Sequence, residues 1–136
     1  MHQQYTTVFI IDDNQAICDS LDWLLSPLSL RVETFQNAED FLFQFLSILS
    51  KWTTQNKACL ILDLHLPGMS GVDLLKTLDQ QQIDLPVIVV SGRLEMPRSQ
   101  CQFYSNLIDF MKKPVDSELL LKRICDTLDF NPLYPI

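Results

Sequence analysis

Three carboxylates, a hydroxyl and an ammonium occupy corresponding places along this chain. Asp12-Asp13 follows the apolar run 8–11, Asp63 follows 59–62, Ser91 follows 87–90, and Lys113-Pro114 follows 108–111. Each run reads as a strand, and each polar piece sits at its carboxyl end. In a parallel sheet all strand carboxyl ends share one edge, and ligands bind at that edge in open α/β folds. Asp12, Asp13, Asp63, Ser91 and Lys113 are therefore expected to converge. At about 4 Å and an effective dielectric of about 20, each pair of like charges repels by about 4 kcal/mol. Such a cluster needs counter-charge. A hard cation such as Mg²⁺, which prefers carboxylate and water oxygens, supplies part of it, and Lys113 supplies the rest. The set suits a divalent cation together with a phosphoryl group.

The elements that must position these groups alternate along the chain. Strands are expected at 7–11, 31–35, 58–62, 86–90 and 108–111. Four are mostly continuous apolar runs, as befits strands covered on both faces. The second, Arg31-Val32-Glu33-Thr34-Phe35, carries charges and suits an edge. Between the strands lie helical patterns. The first buries Ile17, Leu21, Leu24, Leu25 and Leu28, with Pro27 disturbing its last turn. Asn37 caps a helix bearing Phe41, Leu42, Phe45, Leu46 and Leu49. Ser70 and Asp73 resemble a capping box, and Pro97 suits the first turn of a fourth helix. Asp116 caps a last helix bearing Leu119, Leu120, Ile124 and Leu128. Alternating β and α units with short connections imply a doubly wound, five-stranded parallel sheet with right-handed crossovers.

Composition narrows the function. A chain of 136 residues with 47% hydrophobic content accommodates one domain with a core. We therefore expect a single domain over 1–136, with a core from about 7 to 129 and an extended tail at 130–136. The net charge of −7 disfavours a nucleic-acid surface. Cys18, Cys59, Cys101 and Cys125 show no metal-ligand spacing and read as free thiols of a reducing compartment. No run approaches membrane-spanning length, and the N-terminus has no signal-peptide pattern. A soluble cytoplasmic protein is the expectation.

Taken singly, each motif is ordinary: Asp-Asp after a strand is commonly a turn or cap, and Ser91-Gly92 is a turn signal. Together they resemble the response-regulator receiver domains of two-component signalling, over roughly residues 8–128. The residues that carry the resemblance are Ile11-Asp12-Asp13-Asn14, Asp63-Leu64-His65-Leu66-Pro67-Gly68-Met69-Ser70-Gly71, Val90-Ser91-Gly92 and Asp109-Phe110-Met111-Lys112-Lys113-Pro114. The Ser91 piece and the Asp-Phe pair are most similar to the FixJ-type branch.

The resemblance implies a flavodoxin-like (βα)5 fold with strand order 2-1-3-4-5. It implies that Asp63 accepts a phosphoryl group from a histidine kinase or histidine phosphotransfer protein. Asp13 and Asp63 would ligate Mg²⁺ directly, Asp12 mainly through water, and His65 through its backbone carbonyl. Ser91 would hydrogen-bond a phosphoryl oxygen, and Lys113, joined to Pro114 by a cis peptide, would pair with another. Ser91 and Phe110 would form the switch, and phosphorylation would alter protein contacts, a dimer among them. Such a domain phosphorylates and dephosphorylates itself and turns over no external metabolite. Two alternatives stand beside it. One is a small Mg²⁺-dependent phosphohydrolase with an aspartyl nucleophile, which needs Asp-x-Asp where this chain has His65. The other is a phosphorylation-independent interaction domain.

Two regions depart from the resemblance. Residues 98–107 lack the small, strong helix formers usual there. The expected fourth helix is accordingly short, mobile or displaced, with Asn106 standing where a glycine-like left-handed turn is needed. The stretch 50–57, a loop or frayed helix end, is long and carries Trp52. Trp23 and Phe43 lie off their helices' apolar stripes and are expected as isolated exposed rings rather than a joint patch.

Overall fold

The computed structural model describes residues 6–52, 57–92 and 104–129. Strands β1 (Thr6–Ile11), β2 (Arg31–Phe35), β3 (Lys57–Leu62), β4 (Val87–Ser91) and β5 (Leu107–Lys112) form one sheet in the order β2-β1-β3-β4-β5. All of its pairings are parallel. Helices α1 (Gln15–Leu25), α2 (Ala38–Leu49), α3 (Gly71–Gln80) and α4 (Ser117–Leu128) cover its two faces. The expected fourth helix and the 130–136 tail fall largely or wholly outside the described residues, as does Cys101.

Side chains alternate across the sheet because the strand repeat is two residues. Phe9, Ile11, Leu60, Leu62, Val87 and Val89 point to one face and meet Phe41 and Phe45 of α2 and Leu74, Leu75 and Leu78 of α3. Val8, Ile10, Cys59, Ile61, Ile88 and Val90 point to the other and meet Cys18 and Leu25 of α1 and Leu120, Ile124 and Leu128 of α4. Central strands buried on both sides explain the unbroken apolar runs.

The helix ends follow local chemistry. Asn37 accepts from the Asp40 N–H at 2.7 Å, Ser70 from the Asp73 N–H at 3.1 Å, and Asp116 from the Glu118 and Leu119 N–H groups at 3.0 and 3.2 Å. Asn14 also caps α1, accepting from Ala16 N–H at 3.0 Å. Pro27 has no N–H to donate, so the α-helix stops at Leu25 and a 3₁₀ turn spans Ser26–Leu28.

Some side chains differ from expectation. Leu46 and Leu119 are 42% and 45% exposed, off the stripes completed by Phe41 and Phe45 and by Leu120, Ile124 and Leu128. On a helix, one residue is a turn of about 100°, enough to leave the buried face. Ile108 bulges from β5, where Val87 faces Leu107 but Ile88 faces Asp109, and it is 46% exposed. Trp52 packs edge-on against Phe45 at 5.8 Å. Trp23 and Phe43 are 79% and 81% exposed, on helices that cover opposite faces of the sheet, so no joint patch forms.

Asn106 does not adopt the left-handed conformation expected of it. Its amide is buried and donates to the carbonyls of Ile83 at 2.6 Å and Leu85 at 2.9 Å, while its own carbonyl accepts from Val87 N–H at 2.7 Å. It staples the loop before β4 to the start of β5. Asn106→Leu takes this donor from the buried Leu85 carbonyl and leaves the Ile83 carbonyl with only the Leu85 N–H at 3.2 Å; a buried acceptor that loses its partner costs about 1–3 kcal/mol. A loss of about 2–4 kcal/mol is expected in urea unfolding. Asn106→Asp, which turns an acceptor toward both carbonyls, should lose more at neutral pH.

Candidate acidic site at the strand carboxyl ends

Backbone hydrogen bonds carry three site residues one step past the strands. Asp12 N–H donates to Phe35 carbonyl at 3.0 Å, Asp63 N–H to Ile11 carbonyl at 3.0 Å, and Lys113 N–H to Ser91 carbonyl at 2.9 Å. Ile11 lies opposite Leu62, so Asp12 and Asp63 emerge side by side from adjacent strands. Carboxylate oxygens of Asp12, Asp13 and Asp63 lie within 4.8 Å of one another. Asp12 and Asp63 are buried, and Asp13 is exposed.

Lys113 begins beyond β5, two strand spacings from β3, or about 10 Å. Its four-carbon stem crosses that gap. The ammonium lies 2.7 Å from Asp12 Oδ2 and 3.2 Å from Asp63 Oδ2. Burial by itself pushes the lysine pKa down, but the hydrogen bonds and charges of Asp12, then Asp63, outweigh it and hold the group above its ordinary value. The other oxygens are held from the backbone. Asp12 Oδ1 accepts from Asn14 N–H at 2.9 Å, and Asp63 Oδ1 from His65 N–H at 3.1 Å. Ser91, fully buried, is the last residue of β4. The Lys113–Pro114 peptide is cis. His65 is solvent-exposed. Phe110 is half-buried against the α2–α3 side of the core.

An all-oxygen set beside one ammonium can hold a hard divalent cation. A family model for the response regulator receiver domain matches residues 8–125. The chain belongs to that family. Transcriptional regulatory protein TdiR of Thauera aromatica is 32% identical over 126 residues, covering 93% of this chain and 52% of TdiR. Response regulator protein TmoT of Ectopseudomonas mendocina is 32% identical over 132 residues, covering 97% of this chain and 57% of TmoT. The solved structure of FixJ-N superposes with a TM-score of 0.73 at 29% identity, covering 94% of this chain and 96% of that one. The chain spans about half the length of these curated relatives. It is a two-component response regulator receiver related to the FixJ branch, and none of its described helices is long and apolar enough to cross a membrane.

The receiver also contains supporting residues to which the motifs assigned no role. Cys18, buried in α1, donates its thiol to the Asp12 carbonyl at 3.3 Å. Its pKa is pushed up by burial and then by the charge of Asp12, so it stays protonated as a donor. Burial likewise pushes the Cys59 thiol up to about 12. Cys18, Cys59 and Cys125 are free. Gly71 opens α3 directly against Asp63: a Cβ there would lie 2.7 Å from the Asp63 carbonyl oxygen and 2.7 Å from Leu64 Cα. Only the serine cap before Gly71 hinted at this contact, because Asp63 is eight positions away in sequence.

Proposed function

We propose that this receiver accepts a phosphoryl group on Asp63 from a histidine kinase or histidine phosphotransfer protein, in a reaction requiring Mg²⁺. The observation that carries this reading is the gathering of three carboxylates within 4.8 Å, with the Lys113 ammonium 3.2 Å from one of them. Asp12, Asp13 and Asp63 would hold the ion, Asp12 chiefly through water, with the His65 carbonyl as a further donor. Mg²⁺ bound there supplies positive charge to the phosphoryl oxygens.

A carboxylate oxygen of Asp63 attacks phosphorus; the phosphorus–nitrogen bond of the phosphohistidine breaks, and its electron pair leaves with the imidazole. Phosphoryl transfer needs alignment and charge neutralisation above all. Lys113, whose ammonium Asp12 and Asp63 already hold at the site, neutralises a phosphoryl oxygen with little reorganisation. The hydroxyl of Ser91 turns to a second oxygen. Movement at the end of β4 opens room beside β5, into which Phe110 rotates. Its ring carries no hydroxyl to strand in an apolar space. The outcome is a population shift between two packings, read out as altered protein contacts, among them a phosphorylation-linked dimer. The domain modifies and restores itself rather than turning over a metabolite, and it works in the cytoplasm. TdiR is described as a transcriptional regulatory protein, and by that likeness the altered contacts serve transcriptional control, with no nucleic acid bound by this acidic chain itself.

Incubation with acetyl phosphate and Mg²⁺ should add a phosphoryl mass to the wild type and none to Asp63→Asn, read by mass spectrometry of the intact protein. Equal gain in both, or none in either, would overturn the assignment.

A further inference from the structure

We propose that Glu39, on α2, is a positioning residue that holds the loop after Asp63 in the shape the acidic site needs; this rests on reading that site as a Mg²⁺-dependent phosphoacceptor. The loop runs from Leu64 to Ser70. At its near end His65 N–H is tied to the Asp63 carboxylate at 3.1 Å, and at its far end Gly71 N–H is tied to the Leu64 carbonyl at 3.0 Å. Its middle is held from a different element, since Met69 N–H donates to Glu39 Oε1 at 3.3 Å.

Two features make this a built contact rather than a chance approach. Glu39 stands in the first turn of α2, where an acid is favoured by the helix dipole. Gly68 has φ +73°, a left-handed conformation that favours glycine. A Cβ at Gly68 would collide with the Glu39 carboxylate. The carboxylate therefore occupies the space a side chain would fill, and Gly68 serves both the turn and the clearance.

The consequence reaches the acidic site through the backbone. His65 and Leu66 lie between Asp63 and the Gly68-Met69 turn. Drift of that turn moves His65, and with it the N–H that orients Asp63 Oδ1. Glu39 is exposed, so water and salt screen its charge. It acts by accepting the hydrogen bond, which an amide oxygen can also do.

The test combines hydrogen exchange at the Met69 amide with Mg²⁺ titration, followed by NMR, on wild type, Glu39→Ala, Glu39→Gln, Gly68→Ala and the Glu39→Ala/Gly68→Ala double variant. In Glu39→Ala, Met69 should exchange about tenfold faster and the Kd for Mg²⁺ should rise about three- to tenfold. In Glu39→Gln both should stay within about twofold of wild type. Gly68→Ala evicts the same carboxylate, so the double variant should lose less affinity than the product of the single losses. Unchanged Met69 exchange in Glu39→Ala, or a Gln variant as weak as the Ala variant, would overturn the role. A wild type without Mg²⁺ affinity would instead overturn the underlying site reading, whatever Met69 shows.

Discussion

Lys113→Met is expected to weaken the fold by about 2–3 kcal/mol without divalent cations and to recover much of that loss when Mg²⁺ is added. Removing one member of a buried ion pair strands the other charge, at about 3–5 kcal/mol where the site is dry. The side chains of Asp12 and Asp63 are 5% and 8% exposed, but that of Lys113 is 21% exposed, which places this case below the dry limit. Two adjacent carboxylates would lose their shared counter-charge, and a bound cation can restore it. Phosphoryl uptake from acetyl phosphate should fall about 100- to 1000-fold, the usual effect of deleting a preorganised group that meets developing charge. The alkaline wing of stability supplies an independent check. Folding holds Lys113 above its ordinary value of 10.5. Its stabilisation is therefore fully present below that pH and is lost as pH rises through the higher folded value. Wild type should lose stability more steeply than Lys113→Met above about pH 10.5. Urea midpoints that match between the two proteins at every pH and Mg²⁺ concentration would contradict the pairing.

Gly71→Ala should cost about 1–2 kcal/mol and slow phosphoryl uptake about 100-fold. Two effects oppose each other. Alanine improves helix propensity by about 1 kcal/mol over glycine. Against that, the new methyl would stand 2.7 Å from both the Asp63 carbonyl oxygen and Leu64 Cα, and 3.0 Å from Leu64 Cδ2. Two of these neighbours are backbone atoms, which cannot swing aside as a flexible side chain can, and overpacking of this kind costs about 1–3 kcal/mol. Relief requires the chain at Asp63 to shift, and a displacement of about 1 Å at a reacting group is worth about 100-fold in rate. A variant that is destabilised yet takes up phosphoryl at the wild-type rate would show that the strain is relieved within α3 instead.

The parts of the fold written locally were legible. Apolar runs bounded by turn residues marked the strands to within a residue or so, and short polar caps marked helix starts. Asp12, Asp13, Asp63, Ser91 and Lys113 could be aligned because each ends a strand, and parallel strands end together. Asn106 was misread because its residue type suits a left-handed turn, whereas its partners, the carbonyls of Ile83 and Leu85, lie more than twenty positions back. Leu46 and Leu119 were misread because a stripe one residue too wide looks the same in sequence. The Glu39–Met69 bond spans thirty positions and joins α2 to the loop between β3 and α3, so periodicity contained no signal for it.

The amino-acid order alone determined which chemical groups meet at the edge of the sheet, since strand alternation and strand ends depend on neighbours in sequence. Tertiary structure decided how those groups are divided among partners: Lys113 nearer Asp12 than Asp63, Cys18 beneath the Asp12 carbonyl, Gly71 against the Asp63 backbone, and Glu39 under the turn at Gly68. The physical reason is distance. Hydrogen bonds and steric contacts are settled within a few tenths of an ångström, and only the register of the strands and the seating of the helices bring residues from distant stretches that close.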